Sequence, residues 1–233
     1  MPPSDPQPTF APRDAAQVVF LVMTVILTCS LLLSFFALPD VASGLIGMVL
    51  MQAAMFGGIA WVVRSRNFSW IQTFGLQRER LPRAFALGAI GCVALIPILG
   101  FISLLWRQIL TYAGLPPDDQ LAIQWLTARK EPLFRIVFFL EATLIAPVIE
   151  ELFFRGFLEQ AFRQRHGAIG TALLCALLFA AFHAHLPSLL PLFAIALGFS
   201  AVYHATRSLA AAIVMHAAYN TVNFVWILLA PPT

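Results

Sequence analysis

Seven apolar stretches of roughly the length that crosses a bilayer follow one another along this chain, and they leave few folds open to it. They run over residues 17–38, 41–63, 84–106, 133–154, 167–183, 187–203 and 209–229. In lipid every backbone N–H and C=O must be paired inside the protein, so spanning segments are helices or strands of a closed barrel. These stretches are continuously apolar, not alternating, which selects helices. The expected fold is therefore all-α, a polytopic transmembrane helix bundle of seven spans. Composition agrees: 60% of residues are hydrophobic and 11% are charged, against about 25% charged in soluble domains. A net charge of +3 is too small to argue for a nucleic-acid partner. The first partner is the lipid bilayer.

The organisation around these spans reads as three parts. Residues 1–16 are rich in Pro and polar residues and are expected to be a disordered tail, without the basic start of a cleaved signal peptide. Residues 17–132 hold the N-terminal membrane helices. Within them, 67–83 mixes Trp70, Ile71 and Phe74 with Arg78, Arg80 and Arg83, the pattern of a segment lying along the membrane surface. Residues 114–131 form the longest polar connection. Residues 133–229 form a C-terminal helix core. Cys29, Cys92 and Cys175 are scattered among apolar residues without metal spacing and read as small buried hydrophobes. With seven spans, ten of the 14 Lys and Arg residues fall on one side: Arg13, Arg64, Arg66, Arg78, Arg80, Arg83, Arg155, Arg163, Arg165 and Arg207. The positive-inside rule then puts the N-terminus in the cytoplasm.

Ionisable groups at membrane depth cost a few kcal/mol each, so their positions are informative. Glu150, Glu151 and Arg155 lie together in the fourth stretch. Glu151 and Arg155 are four apart, on one helical face, in the favourable acid-before-base order. Glu150 points about 100° away and is left over. Phe179 and His183 share the same spacing, as do His216 and Asn220. The fourth helix continues past the bilayer edge to a turn at His166–Gly167. Glu150 and His183 are then equidistant from that turn, about 24 Å at 1.5 Å per residue, so they are expected to face each other.

A carboxylate and an imidazole can hold and deprotonate a water molecule, and a second imidazole with an amide can donate to an oxyanion. These are the parts of an amide hydrolase that uses activated water. Glu150, His183 and His216 would also serve as ligands to Zn²⁺, although the H-E-x-x-H pattern is absent. Both readings end in water attack on a peptide bond, and on residue types alone they stay open.

In these motifs the chain resembles the CPBP family of intramembrane proteases, which includes type II CAAX prenyl endopeptidases and the bacteriocin-processing or bacteriocin-immunity (Abi) proteins. Glu150-Glu151-x-x-x-Arg155, Phe179-x-x-x-His183 and His216-x-x-x-Asn220 match its three motifs in order. The resemblance implies Glu150 as general base, His183 as a partner for the same water, and His216 and Asn220 as the oxyanion site. Glu151, Arg155 and Phe179 would support the site. It implies a metal-free glutamate mechanism, with a zinc metallopeptidase as the alternative, and a bundle in which eight spans are common. The expected substrate is a membrane-associated protein or peptide, and the expected location a bacterial plasma membrane. The alternative function is a non-catalytic immunity or partner-binding membrane protein.

Overall fold

The computed structural model describes residues 9–36, 39–115 and 117–230. The chain is helical nearly throughout. The elements are α1 (Pro12–Phe35), α2 (Asp40–Ser65), the single turn α3 (Trp70–Thr73), α4 (Leu81–Tyr112) and α5 (Leu121–Ala128). A long helical stretch, Pro132–Phe182, follows, then a helix at Leu186–Thr206 and a last one at Leu209–Leu229. Six of these are long and apolar enough to cross a membrane.

The long stretch is not one rod. Gly167 has φ 67° and ψ −179°, a backbone that no helix contains and that glycine adopts at no steric cost. The chain doubles back there. Phe154 lies 5.2 Å from Phe179 and 5.7 Å from Phe182 between ring centroids, and Phe153 lies 6.2 Å from Phe182. Residues so far apart in sequence meet only in an antiparallel hairpin. We therefore number residues 132–166 as α6, 168–182 as α7, Leu186–Thr206 as α8 and Leu209–Leu229 as α9. With α1, α2 and α4 these are the seven rods expected from the apolar stretches.

Two expectations need correction. The tail assigned to residues 1–16 ends early: α1 begins at Pro12, and Asp14 accepts a hydrogen bond from the Ala11 N–H at 3.0 Å. Asp14 also takes Arg66 at the end of α2 through two contacts, at 2.7 and 3.0 Å. Phe10 is 2% exposed and packs on Phe68, Phe74 and Phe157. Proline at the first helical position and a cap at the third start a helix, a local signal that the polar composition outweighed in the sequence reading. Residues 1–8 of that tail lie outside the described residues. The connection 114–131 is not all loop either, because α5 forms there and buries Leu126 against Phe138 and Phe224.

The segment 67–83 has two faces. Trp70 and Ile71 are exposed, whereas Thr73 and Phe74 are buried, and the Phe74 carbonyl accepts the Leu209 N–H at 2.9 Å. Arg80 donates to the Arg207 carbonyl at 3.0 Å. This segment thus clamps the turn between α8 and α9, which sets the height of the polar residues on α9.

Close approach of rods in lipid depends on small residues, because apolar surface alone gives no preference for helix over lipid tail. A Cβ on Gly88 of α4 would sit 2.6 Å from the Ala211 carbonyl oxygen of α9 and 3.1 Å from Val214. Gly100 on the same helix has open space around it. Gly88→Ala is expected to lower unfolding stability in detergent by about 1–3 kcal/mol. Gly100→Ala should be neutral or raise it by about 0.5–1 kcal/mol, since only the backbone entropy of glycine changes.

Candidate active site

Glu151 and Arg155 form the ion pair expected from their spacing. Arg155 Nη1 donates to Glu151 Oε1 at 2.9 Å, and both side chains are 0% exposed. Arg155 Nη2 donates to the Ala196 carbonyl of α8 at 2.9 Å. Three aromatic rings surround the guanidinium: Phe179 at 4.9 Å, Phe199 at 5.1 Å and Phe154 at 5.8 Å. Ring faces attract a cation, and the attraction is stronger where water is excluded. The cage draws on α6, α7 and α8 and assigns Phe179 a supporting position beside the charge.

Glu151 Oε1 has a second partner. His216 Nδ1 of α9 lies 2.9 Å from it. A carboxylate only accepts, so Nδ1 carries the hydrogen. The imidazole stacks on Phe199 with centroids 4.6 Å apart and meets the Phe179 ring edge-on at 5.8 Å. That grip turns Nε2 toward Glu150, whose Oε2 is 3.9 Å away. Glu150 is 16% exposed at its side chain, so it is the carboxylate of the adjacent pair that the salt bridge leaves available.

His183 ends α7. Its Nδ1 lies 2.8 Å from the Phe179 carbonyl oxygen. A carbonyl also only accepts, so Nδ1 is the donor and Nε2 keeps its lone pair. Among the described residues, no ion-pair contact joins His183 to Glu150; the imidazole within that range is His216. The hairpin register agrees with the equal-height argument, and the imidazole in direct ion-pair range of Glu150 is that of His216. The helical rise is not uniform on the α6 side. Glu141–Ile145 and Leu152–Leu158 are π-helical, on either side of the α-helical Ala146–Glu151. Each π turn shifts both rise and phase from the values of an ideal α-helix.

Asn220 meets the first π turn. Within that turn the Ala146 N–H bonds to the Glu141 carbonyl, five residues back. The next donor in that register would be residue 147, which is proline and has no N–H. The carbonyl left over belongs to Ala142, and Asn220 Nδ2 donates to it at 2.8 Å. One of the two amide hydrogens of Asn220 is thus used on the backbone, and one remains. Beside this contact, Gln52 of α2 donates to Glu141 Oε1 at 2.5 Å. Gln52 was missed in the sequence; its signal was a lone amide inside an apolar stretch.

The alternative zinc reading would need Glu150, His183 and His216 to gather around one ion. Among the described residues no group of three or more His, Cys, Asp or Glu side chains comes together closely enough to hold a metal ion.

Asn220→Leu is expected to cost about 1–3 kcal/mol by stranding the Ala142 carbonyl. Pro147→Ala supplies the missing N–H, so the double variant should recover most of that loss in thermal unfolding. A full, additive loss in the double variant would contradict the pairing of Asn220 with this particular carbonyl.

Comparison with known proteins points the same way as the three motifs. Residues 132–222 match the family model described as type II CAAX prenyl endopeptidase Rce1-like. The match spans Glu150, Glu151, Arg155, Phe179, His183, His216 and Asn220. No curated protein and no solved structure matches the chain.

Proposed function

We propose, from the match of residues 132–222 to the family model described as type II CAAX prenyl endopeptidase Rce1-like, that this integral membrane protein is an intramembrane endopeptidase working by a glutamate-activated water. The observation that carries the reading is the division of labour between two adjacent carboxylates. Glu151 is spent on Arg155 and His216, while Glu150 stays accessible beside a held imidazole.

In this reading Glu150 takes a proton from water as the oxygen attacks the scissile carbonyl carbon. The lone pair of His183 Nε2, fixed by the bond from Nδ1 to Phe179, accepts the other hydrogen of the same water and orients it. The carbonyl π electrons move to oxygen, and the oxyanion is met by the remaining amide hydrogen of Asn220 and, once His216 Nε2 has taken the proton from Glu150, by that N–H. The 3.9 Å between Glu150 Oε2 and His216 Nε2 is closed by a small side-chain rotation. The proton then reaches Nε2, which donates to the oxyanion and delivers it to the departing amine as the C–N bond breaks. The second water hydrogen stays on the new carboxyl group, which releases it through His183 Nε2 to solvent, and a carboxylate and an amine result.

The substrate in this proposal is a membrane-associated protein or peptide segment. The chain sits in a bacterial plasma membrane with its N-terminus in the cytoplasm, the side that receives most of the arginines. A binding or immunity role would use the same pocket without proton transfer and would survive Glu150→Gln.

Proteolysis by the purified protein in lipid vesicles tests this directly. Glu150→Gln and His183→Ala are each expected to lower kcat by about 10²–10⁴-fold with the fold retained. Wild-type rates in both variants would contradict the assignment. Chelator treatment should leave activity unchanged; loss on chelation restored by Zn²⁺ would replace the metal-free route with the zinc one and keep the protease.

A further inference from the structure

One turn beyond Arg155, on the same rod, lies a second buried charge that the mechanism does not use. Glu159 is 1% exposed. Its Oε1 accepts the Ser200 hydroxyl of α8. Its Oε2 lies 3.1 Å from His204 Nε2. His204 Nδ1 in turn lies 3.2 Å from Arg163 Nη1. A guanidinium only donates, so Nδ1 of His204 is the acceptor and Nε2 carries the hydrogen. The Ser200 hydroxyl therefore bonds one carboxylate oxygen, and the His204 ring lies beside the other at ion-pair distance without a hydrogen bond. Beside them a cavity of ≈290 Å³ is lined by Glu159, Gln160, Arg163, Tyr203 and His204, with Thr9 among its other walls.

The link to the catalytic groups is the Ala196 carbonyl. Ser200 lies one turn after Ala196, and its Oγ is also 3.2 Å from that oxygen. A serine on a helix bonds to the carbonyl four residues back unless a better acceptor is offered. Here the same oxygen receives Arg155 Nη2 at 2.9 Å. An ionised carboxylate is the stronger acceptor, so Glu159 draws the single hydroxyl hydrogen of Ser200 away from Ala196. That leaves the carbonyl to Arg155, whose other arm holds Glu151, which holds His216 against Glu150.

We propose that Glu159 is a positioning residue for the reaction assigned above: by occupying the Ser200 hydroxyl it reserves the Ala196 carbonyl for Arg155 and so fixes the Glu151–His216 pair. The inference rests on the endopeptidase reading for its kinetic readout but not for its structural one. Without the carboxylate, Ser200 turns fully onto Ala196 and competes with the guanidinium. The Arg155–Glu151–His216 chain then loses one of its two anchors.

The test uses the full chain in lipid nanodiscs with ¹⁵N-labelled histidine. Two readouts are taken, peptide cleavage and the low-field Nδ1 proton of His216. Glu159→Leu should lower kcat about tenfold or more with KM within about twofold, the signature of a displaced group and not of lost substrate binding. It should also shift the His216 Nδ1 signal. Adding Ser200→Ala to Glu159→Leu removes the competing hydroxyl and should restore both readouts toward wild type. A merely structural role for Glu159 would not be repaired by a second truncation. Glu159→Gln keeps an acceptor for Ser200 and should stay within about threefold of wild type; it decides the matter should Glu159→Leu fail to fold. A double variant no better than the single one, an unmoved His216 signal in Glu159→Leu, or a loss of more than about tenfold in Glu159→Gln would each overturn the proposal. Absence of cleavage by the wild-type protein would instead sink the endopeptidase reading, with the His216 signal still deciding this one.

Discussion

An arginine and a glutamate, both sealed from solvent in the middle of an apolar bundle, are the contact on which the rest of this structure depends. Removing two charges from water costs several kcal/mol per ion, and their attraction alone repays that only with good geometry and further hydrogen bonds. Arg155 has both. One arm meets Glu151, the other meets the Ala196 carbonyl, and three phenylalanine rings surround the cation. Each of these partners sits on a different part of the hairpin or on α8. The pair therefore fixes the relative positions of α6, α7 and α8 in a way that lipid-like side-chain packing cannot. Glu151 then extends the constraint to α9 through His216.

Irregular backbone on α6 complements this anchor. Two π-helical turns flank the short α-helical piece that carries both glutamates. Such turns loosen the helical hydrogen-bond ladder and re-aim side chains. Pro147 makes the first of them permanent, because no N–H is present to restore the ordinary register. The carbonyl it leaves is taken by Asn220, so the residue that closes the backbone on α6 comes from the same face of α9 as His216. A polar site inside lipid is thereby bound into the backbone pairing that every membrane span must complete.

Much of this was readable from residue order alone. The i, i+4 pairs were legible because they depend only on helical geometry: Glu151 with Arg155, and His183 with the turn that begins at Phe179. The hairpin axis was legible because Gly167 is the first strong helix breaker after a long apolar run. What could not be read are contacts that need tertiary placement. The approach of His216 to Glu150, at 3.9 Å, needs the placement of α9 against α6, which no local spacing gives. Gln52 against Glu141 and Ser200 against Glu159 join residues far apart in sequence, and no local pattern announces them. Phe10 looked like tail because its neighbours are polar; it is buried because three other phenylalanines, on distant segments, close around it.

A double-mutant cycle across the buried pair addresses the anchor itself. Unfolding free energies in detergent would be compared for the wild type, Glu151→Gln, Arg155→Gln and the double variant. If the pair is the shared fastening of the rods, each single change strands a buried charge and the double change is far less costly than their sum, with a coupling of about 2–3 kcal/mol. Additive losses, with a coupling near zero, would mean that the two side chains are held independently and that the bundle does not hang on their contact.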